Sequence, residues 1–131
     1  MTVRKTGLVL SGDPETRRRL RLGMSSQYSL YEAEDKETLT TSLTFLKPQL
    51  IVVEGASLGG PDLTDISRTL RRYLVVFRST CTVMLLKQPT HANLFTGIET
   101  SAGRVYTMHS LEALLELFRP PRRSEAGHPA H

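Results

Sequence analysis

The 131-residue chain has no tryptophan, one cysteine (Cys81) and an aromatic content of 6%. A single thiol excludes an internal disulfide framework, so a domain of this size must stand on its apolar core. No apolar run approaches the roughly 20 residues needed to span a bilayer, and no leader segment is visible. The expected setting is therefore the reducing cytosol, away from membranes. His91, His109, His128 and His131 are scattered, and "HPAH" (128–131) alone has ligand-like spacing. That stretch lacks a second set of donors, so neither a metal nor another cofactor is expected. "GASLGG" (55–60) lacks both the GxGxxG spacing and the GK[ST] ending of a phosphate cradle and reads as a loop. No internal repeat is evident.

What is present begins with charge. Seventeen basic residues against thirteen acidic ones leave a formal charge of +4. The arginines gather in "RRRLR" (17–21), at Arg68, Arg71 and Arg72, and in "RPPRR" (119–123). The first two clusters fall on segments whose opposite faces are apolar, so they are expected to form solvated outer helix faces. A nucleic-acid accessory role using these arginines is the alternative, and it requires binding that weakens steeply with salt.

Short apolar runs alternate with segments of helical period. "TGLVLS" (6–11) reads as a strand that ends at Asp13, a candidate cap for a helix opening with Pro14 and Glu15. "YSLYEA" (28–33) is a second strand, and the helix after it carries Leu39, Leu43 and Leu46 on one face until Pro48. "QLIVVE" (49–54) is apolar on both faces, as suits a central parallel strand, and it ends in the carboxylate of Glu54. A third helix places Leu63, Ile66, Leu70 and Leu74 on one stripe, with Asp62 as its candidate cap.

"CTVMLL" (81–86) is the fourth strand, opened by Cys81 acting as a small hydrophobe. A short helix is expected within "THANLFTGIET" (90–100), where the helical period is poor. "GRVYTM" (103–108) is the fifth strand, followed by a helix with Ser110 as cap and Leu111, Leu114, Leu115 and Phe118 on one face. Five βα units with right-handed crossovers imply a doubly wound α/β domain over residues 1–118. Residues 119–131, rich in proline and arginine with no apolar period, are expected to form a disordered tail.

The order of these elements, with "DPETRRRLR", "YEAED", "PQLIVVE" and "SLEALLELF" in sequence, resembles a two-component response-regulator receiver domain across roughly residues 6–118. The resemblance implies a flavodoxin-like (βα)5 fold, a five-stranded parallel sheet in the order 2-1-3-4-5. It also implies phosphoryl transfer from a partner kinase to an aspartate at the end of the third strand, beside Mg²⁺ held by an acidic pair at the end of the first. In this sequence Glu54 falls at the phosphoacceptor, Ser11 and Gly12 at the acidic pair, and Asp13 one position later. Leu86 replaces the family's hydroxyl residue and Thr107 its lysine.

A hard cation and a phosphoryl group need several oxygen ligands and offsetting charge, which this set does not offer. The sequence therefore reads as a degenerate receiver, a pseudo-receiver that is not an enzyme and acts independently of phosphorylation by binding protein partners of a signalling pathway, including a second copy of itself. Arg104, Tyr106, His109, Glu112 and Glu116 are the candidate contact residues, on the face that the family uses. A further alternative is a small-ligand sensor at the carboxyl edge of the sheet, relined by Ser11, Leu86 and Met108.

Overall fold

A computed structural model describes residues 4–58, 60–77, 80–86, 105–108 and 110–119. Strand β1 (Lys5–Leu10) leads into helix α1 (Pro14–Gly23), β2 (Tyr28–Ala33) into α2 (Lys36–Leu46), and β3 (Leu50–Glu54) into a single 3-10 turn, Gly55–Ser57. Helix α3 (Gly60–Phe77), β4 (Thr82–Leu86), β5 (Val105–Met108) and a last helix, here α4 (Leu111–Leu117), complete the described elements. The five strands are all parallel, in the order β2-β1-β3-β4-β5. This is the doubly wound sheet expected from the sequence.

Strand alternation divides the core into two layers, because successive side chains leave opposite faces of the sheet. Leu8, Leu10, Ile51, Val53, Val83 and Leu85 pack beneath Leu39 and Leu43 of α2 and Ile66, Leu70 and Leu74 of α3. Val9, Val52, Met84 and Leu86 pack on the other side against Leu20 of α1 and Leu111 and Leu114 of α4. Cys81 is fully buried in the first layer, and burial pushes its thiol up to about 12.

Local chemistry sets the helix ends. Asp13 caps α1 by accepting from Glu15 N at 3.0 Å, and Pro14 begins the helix where a missing N–H costs nothing. Asp35 caps α2 through Thr38 N at 2.8 Å, a cap the sequence reading did not assign. Helix α2 stops at Lys47, whose φ of 47° lies in the left-handed region, immediately before Pro48. Helix α3 starts at Gly60, so Asp62 lies inside its first turn and is not the cap position expected. Ser110 caps α4 through Ala113 N at 3.1 Å.

The end of α4 is anchored by Phe118, whose ring meets Tyr28 edge to face at 5.8 Å. Strand β5 is described over Val105–Met108, and residues 103 and 104 of the expected strand lie outside the described residues. The short helix expected within 90–100, the side chain of Leu63, and residues 120–131 of the expected tail lie outside the described residues.

Candidate functional site

The strand register builds one row across the carboxyl edge of the sheet. Leu10 pairs with Val53, which brings Ser11 level with Glu54. Glu54 pairs with Leu86, and Leu86 with Met108. Strand alternation puts Ser11 on the side of Val9 and Glu54 on the side of Val52, the layer covered by α1 and α4. Thr107 pairs with Leu85, one step back from this row. The residue level with Glu54 on β5 is thus Met108, one position past Thr107, where the resemblance implies the family's lysine.

Glu54 is 3% exposed, and hydroxyl groups surround it. Ser11 Oγ donates to Glu54 Oε1 at 2.6 Å and accepts from Asp13 N at 3.0 Å. Thr16 Oγ1, on the inner face of α1 one turn before Leu20, lies 3.2 Å from Glu54 Oε2 and 3.0 Å from Asp13 Oδ2. A hydroxyl has one proton, so Thr16 serves one of these carboxyl groups at a time. Ser57, carried back over the site by the 3-10 turn, donates to the Glu54 carbonyl at 2.9 Å and accepts from Gly12 N at 2.8 Å. Gly12 is required for that closure, since a Cβ there would stand 2.6 Å from the Ser57 carbonyl oxygen.

Asp13, the nearest acid in sequence, is turned to the helix. Its Oδ1 accepts from Glu15 N and its Oδ2 faces Thr16. Leu86 is wholly buried among apolar side chains. Ser11, Gly12, Asp13 and Glu54 are therefore brought together at one edge, with Leu86 beside them. Thr16 and Ser57 join them without having been singled out. Thr16 had a readable signal, a polar residue four positions before Leu20 on the buried helix stripe; Ser57 had none.

The Mg²⁺ that the resemblance to receiver domains implies does not fit this donor set. Both carboxyl oxygens of Glu54 already face hydroxyls, both of Asp13 serve α1, and Leu86 offers no oxygen. Among the described residues no group of three His, Cys, Asp or Glu side chains could hold a metal. A buried serine beside a carboxylate is also the pairing of an activated nucleophile. Ser11 is 0% exposed, and its proton is directed at Glu54 Oε1.

Arg18 and Arg21 lie on the exposed face of α1 as expected and Arg19 is partly exposed, whereas Arg17 is not. Arg17 is largely buried and clasps the site from outside, donating to the Ser11 carbonyl at 2.7 Å and to Glu32 Oε1 at 3.1 Å. Arg18 pairs with Glu15 at 2.6 Å, Arg19 with Glu112 at 3.2 Å, and Arg21 with Glu32 at 3.4 Å. All four thus lie beside carboxylates. The ion pair with Arg18 also holds Glu15 below the usual glutamate range.

Of the candidate contact residues, Tyr106 is half-exposed on β5, and Glu112 and Glu116 are exposed on α4, paired with Arg19 and Arg119. Arg104, His109 and the side chain of Thr107 lie outside the described residues. No helix among the described residues is long and apolar enough to cross a membrane.

No family model matches the sequence, and no curated protein matches it. The structure is similar to a response regulator from Thermotoga maritima at 17% identity and a TM-score of 0.59, covering 88% of this chain and 94% of that one. A response regulator protein from Burkholderia multivorans matches at 18% identity and 0.59, covering 92% and 100%. The N-terminal domain of a response regulator/sensory box/GGDEF protein from Carboxydothermus hydrogenoformans matches at 15% identity and 0.62, covering 86% and 90%. The chain has the fold of a response-regulator receiver domain.

Proposed function

We propose that this chain is a receiver-fold regulatory module that signals by binding protein partners and does not take up a phosphoryl group. One observation carries the reading: the carboxylate at the end of β3 is buried and already hydrogen-bonded by Ser11 and Thr16. Phosphoryl transfer needs an exposed acceptor, a cation and counter-charges for three phosphoryl oxygens. The row Ser11, Glu54, Leu86 and Met108 offers a closed acceptor and two apolar neighbours in their place.

The charge of Glu54 is used internally. It joins the ends of β1 and β3 to α1, and the turn after β3 folds back through Ser57. In this reading a fixed carboxylate holds the edge in one conformation, and what remains for function is the surface. The ion pairs of Arg17, Arg18, Arg19 and Arg21 disfavour the nucleic-acid alternative, because paired arginines release fewer counterions on meeting phosphates. Incubation with acetyl phosphate and Mg²⁺, followed by intact-mass measurement, tests the reading. No added phosphoryl mass is expected, and a labile adduct would overturn it.

A further inference from the structure

Helices α2 and α3 cover the sheet face away from the Glu54 cluster, and a groove of about 500 Å³ runs between them. Lys36, Thr40 and Thr41 form one wall; Asp65, Arg68 and Arg72 form the other. Two ties fix the helices alongside each other. Lys36 Nζ meets Asp65 Oδ2 at 2.7 Å, and Tyr73 donates to the Pro48 carbonyl at 3.0 Å just beyond the end of α2.

The groove changes character along its length. One turn past Thr41 on α2 stands Phe45, and one turn past Arg72 on α3 stand Val75 and Val76, so both helices carry apolar residues at the end of the groove where α2 stops. Phe45 is 80% exposed, Val75 67% and Val76 70%. The same helices bury Leu39, Leu43, Leu70 and Leu74 completely or nearly so, so these three exposed residues are surplus to the core. Exposed apolar side chains beyond the needs of the core, at the end of a polar groove, mark an interaction surface.

Among the described residues the polar end carries three cations, Lys36, Arg68 and Arg72, against two acids, Asp65 and Glu37. Asp65 is shared between Lys36 and Arg68, the latter at 3.3 Å. Arg72 is exposed and has no carboxylate partner among the described residues. Glu37, the other acid on the rim, sits in the first turn of α2, where the helix dipole accommodates it.

We propose that the α2–α3 groove docks an acidic amphipathic helix of a protein partner. Its carboxylates meet Arg68 and Arg72, and its apolar face covers Phe45, Val75 and Val76. Helix-in-groove recognition uses this combination of charged rim and apolar anchors at helical spacing. The chain's own C-terminal residues 119–131 are a poor occupant, because Arg119, Arg122 and Arg123 would face cations. The proposal deepens the partner-binding reading on a different face from Glu54, so its failure leaves the phosphoryl test standing.

The test titrates the 15N-labelled full chain with a synthetic helical peptide that has glutamates along one flank and leucines along the other. A glutamine twin and phosphatidylcholine/phosphatidylserine vesicles are run in parallel. Saturable shifts are expected at the amides of Phe45, Arg68, Arg72, Val75 and Val76. Affinity should fall about tenfold or more for the glutamine twin, for Arg72→Glu and for Phe45→Ser. Both substituted residues are exposed, and unchanged amide spectra elsewhere verify folding. Absent binding, shifts confined to another face, equal affinity for the twin, or preference for vesicles would overturn the proposal.

Discussion

Ser11 Oγ donates to Glu54 Oε1 across 2.6 Å, with Ser11 wholly buried and Glu54 nearly so. Ser11 stands where the resemblance to receivers would place an acid, and a second carboxylate there would repel the one on β3. A hydroxyl does the reverse. It satisfies an acid that burial would otherwise penalise, and the edge closes around it.

The closure depends on Thr16. Thr16→Val keeps the side-chain volume but removes the hydroxyl facing Glu54 Oε2 and Asp13 Oδ2. Loss of a buried donor costs about 1–3 kcal/mol, so chemical denaturation should show a lower midpoint with an unchanged slope. Thr16→Ser should recover most of the loss.

Gly12→Ala should also destabilise, by about 1–3 kcal/mol, because the new Cβ would meet the Ser57 carbonyl oxygen at 2.6 Å. In thermal unfolding the same substitution should be less harmful when Ser57 and its turn are replaced by a more open loop. Equal losses in both backgrounds would detach Gly12 from the turn.

Glu54→Asp should not create a phosphoacceptor. The shorter side chain restores the usual residue type but leaves Ser11, Leu86 and Met108 around it, with no added oxygen ligand for a cation. Intact mass after treatment with acetyl phosphate and Mg²⁺ should equal that of the untreated variant. A phosphoryl adduct on this variant would place the deficit in Glu54 alone.

Two aspartates contribute to the acid limb of stability. Thr38 N–H, and then its hydroxyl, hold Asp35 below the ordinary value of 3.8, and Lys36 followed by Arg68 does the same for Asp65. A carboxyl group whose folded pKa is depressed contributes stability above its unfolded pKa and loses it as pH falls through the folded value. The melting temperature should therefore hold through the neutral range with respect to these groups and decline below the ordinary aspartate value. Asp65→Asn should shallow that decline modestly, since the pair is half-exposed and screened.

Cys81 should be silent in the native protein. Its thiol is fully buried and pushed up to about 12, so little thiolate exists and reagents cannot reach it. An aromatic disulfide reagent should react at the rate of global unfolding and in full after denaturation.

Much of this architecture was legible because each signal was local. The apolar runs around Leu8, Ile51 and Val83 gave strands, and Asp13 followed by Pro14 gave a helix start. The row Ser11–Glu54–Leu86 followed from strand ends. What was not legible depends on loop path and helical position. Ser57 reaches the site because a 3-10 turn folds back, which a string of Gly, Ala and Ser does not announce. Arg17 sits among arginines that look alike, yet its position one residue past Thr16 brings it against the Ser11 carbonyl.

The most direct measurement is an amide spectrum of the 15N-labelled protein titrated with Mg²⁺ and beryllofluoride, which mimics an acyl phosphate. A filled, hydroxyl-bonded edge predicts no saturable shift at the amides of Ser11, Gly12, Asp13, Glu54 or Ser57. Saturable shifts centred on those residues and dependent on both reagents would contradict the account.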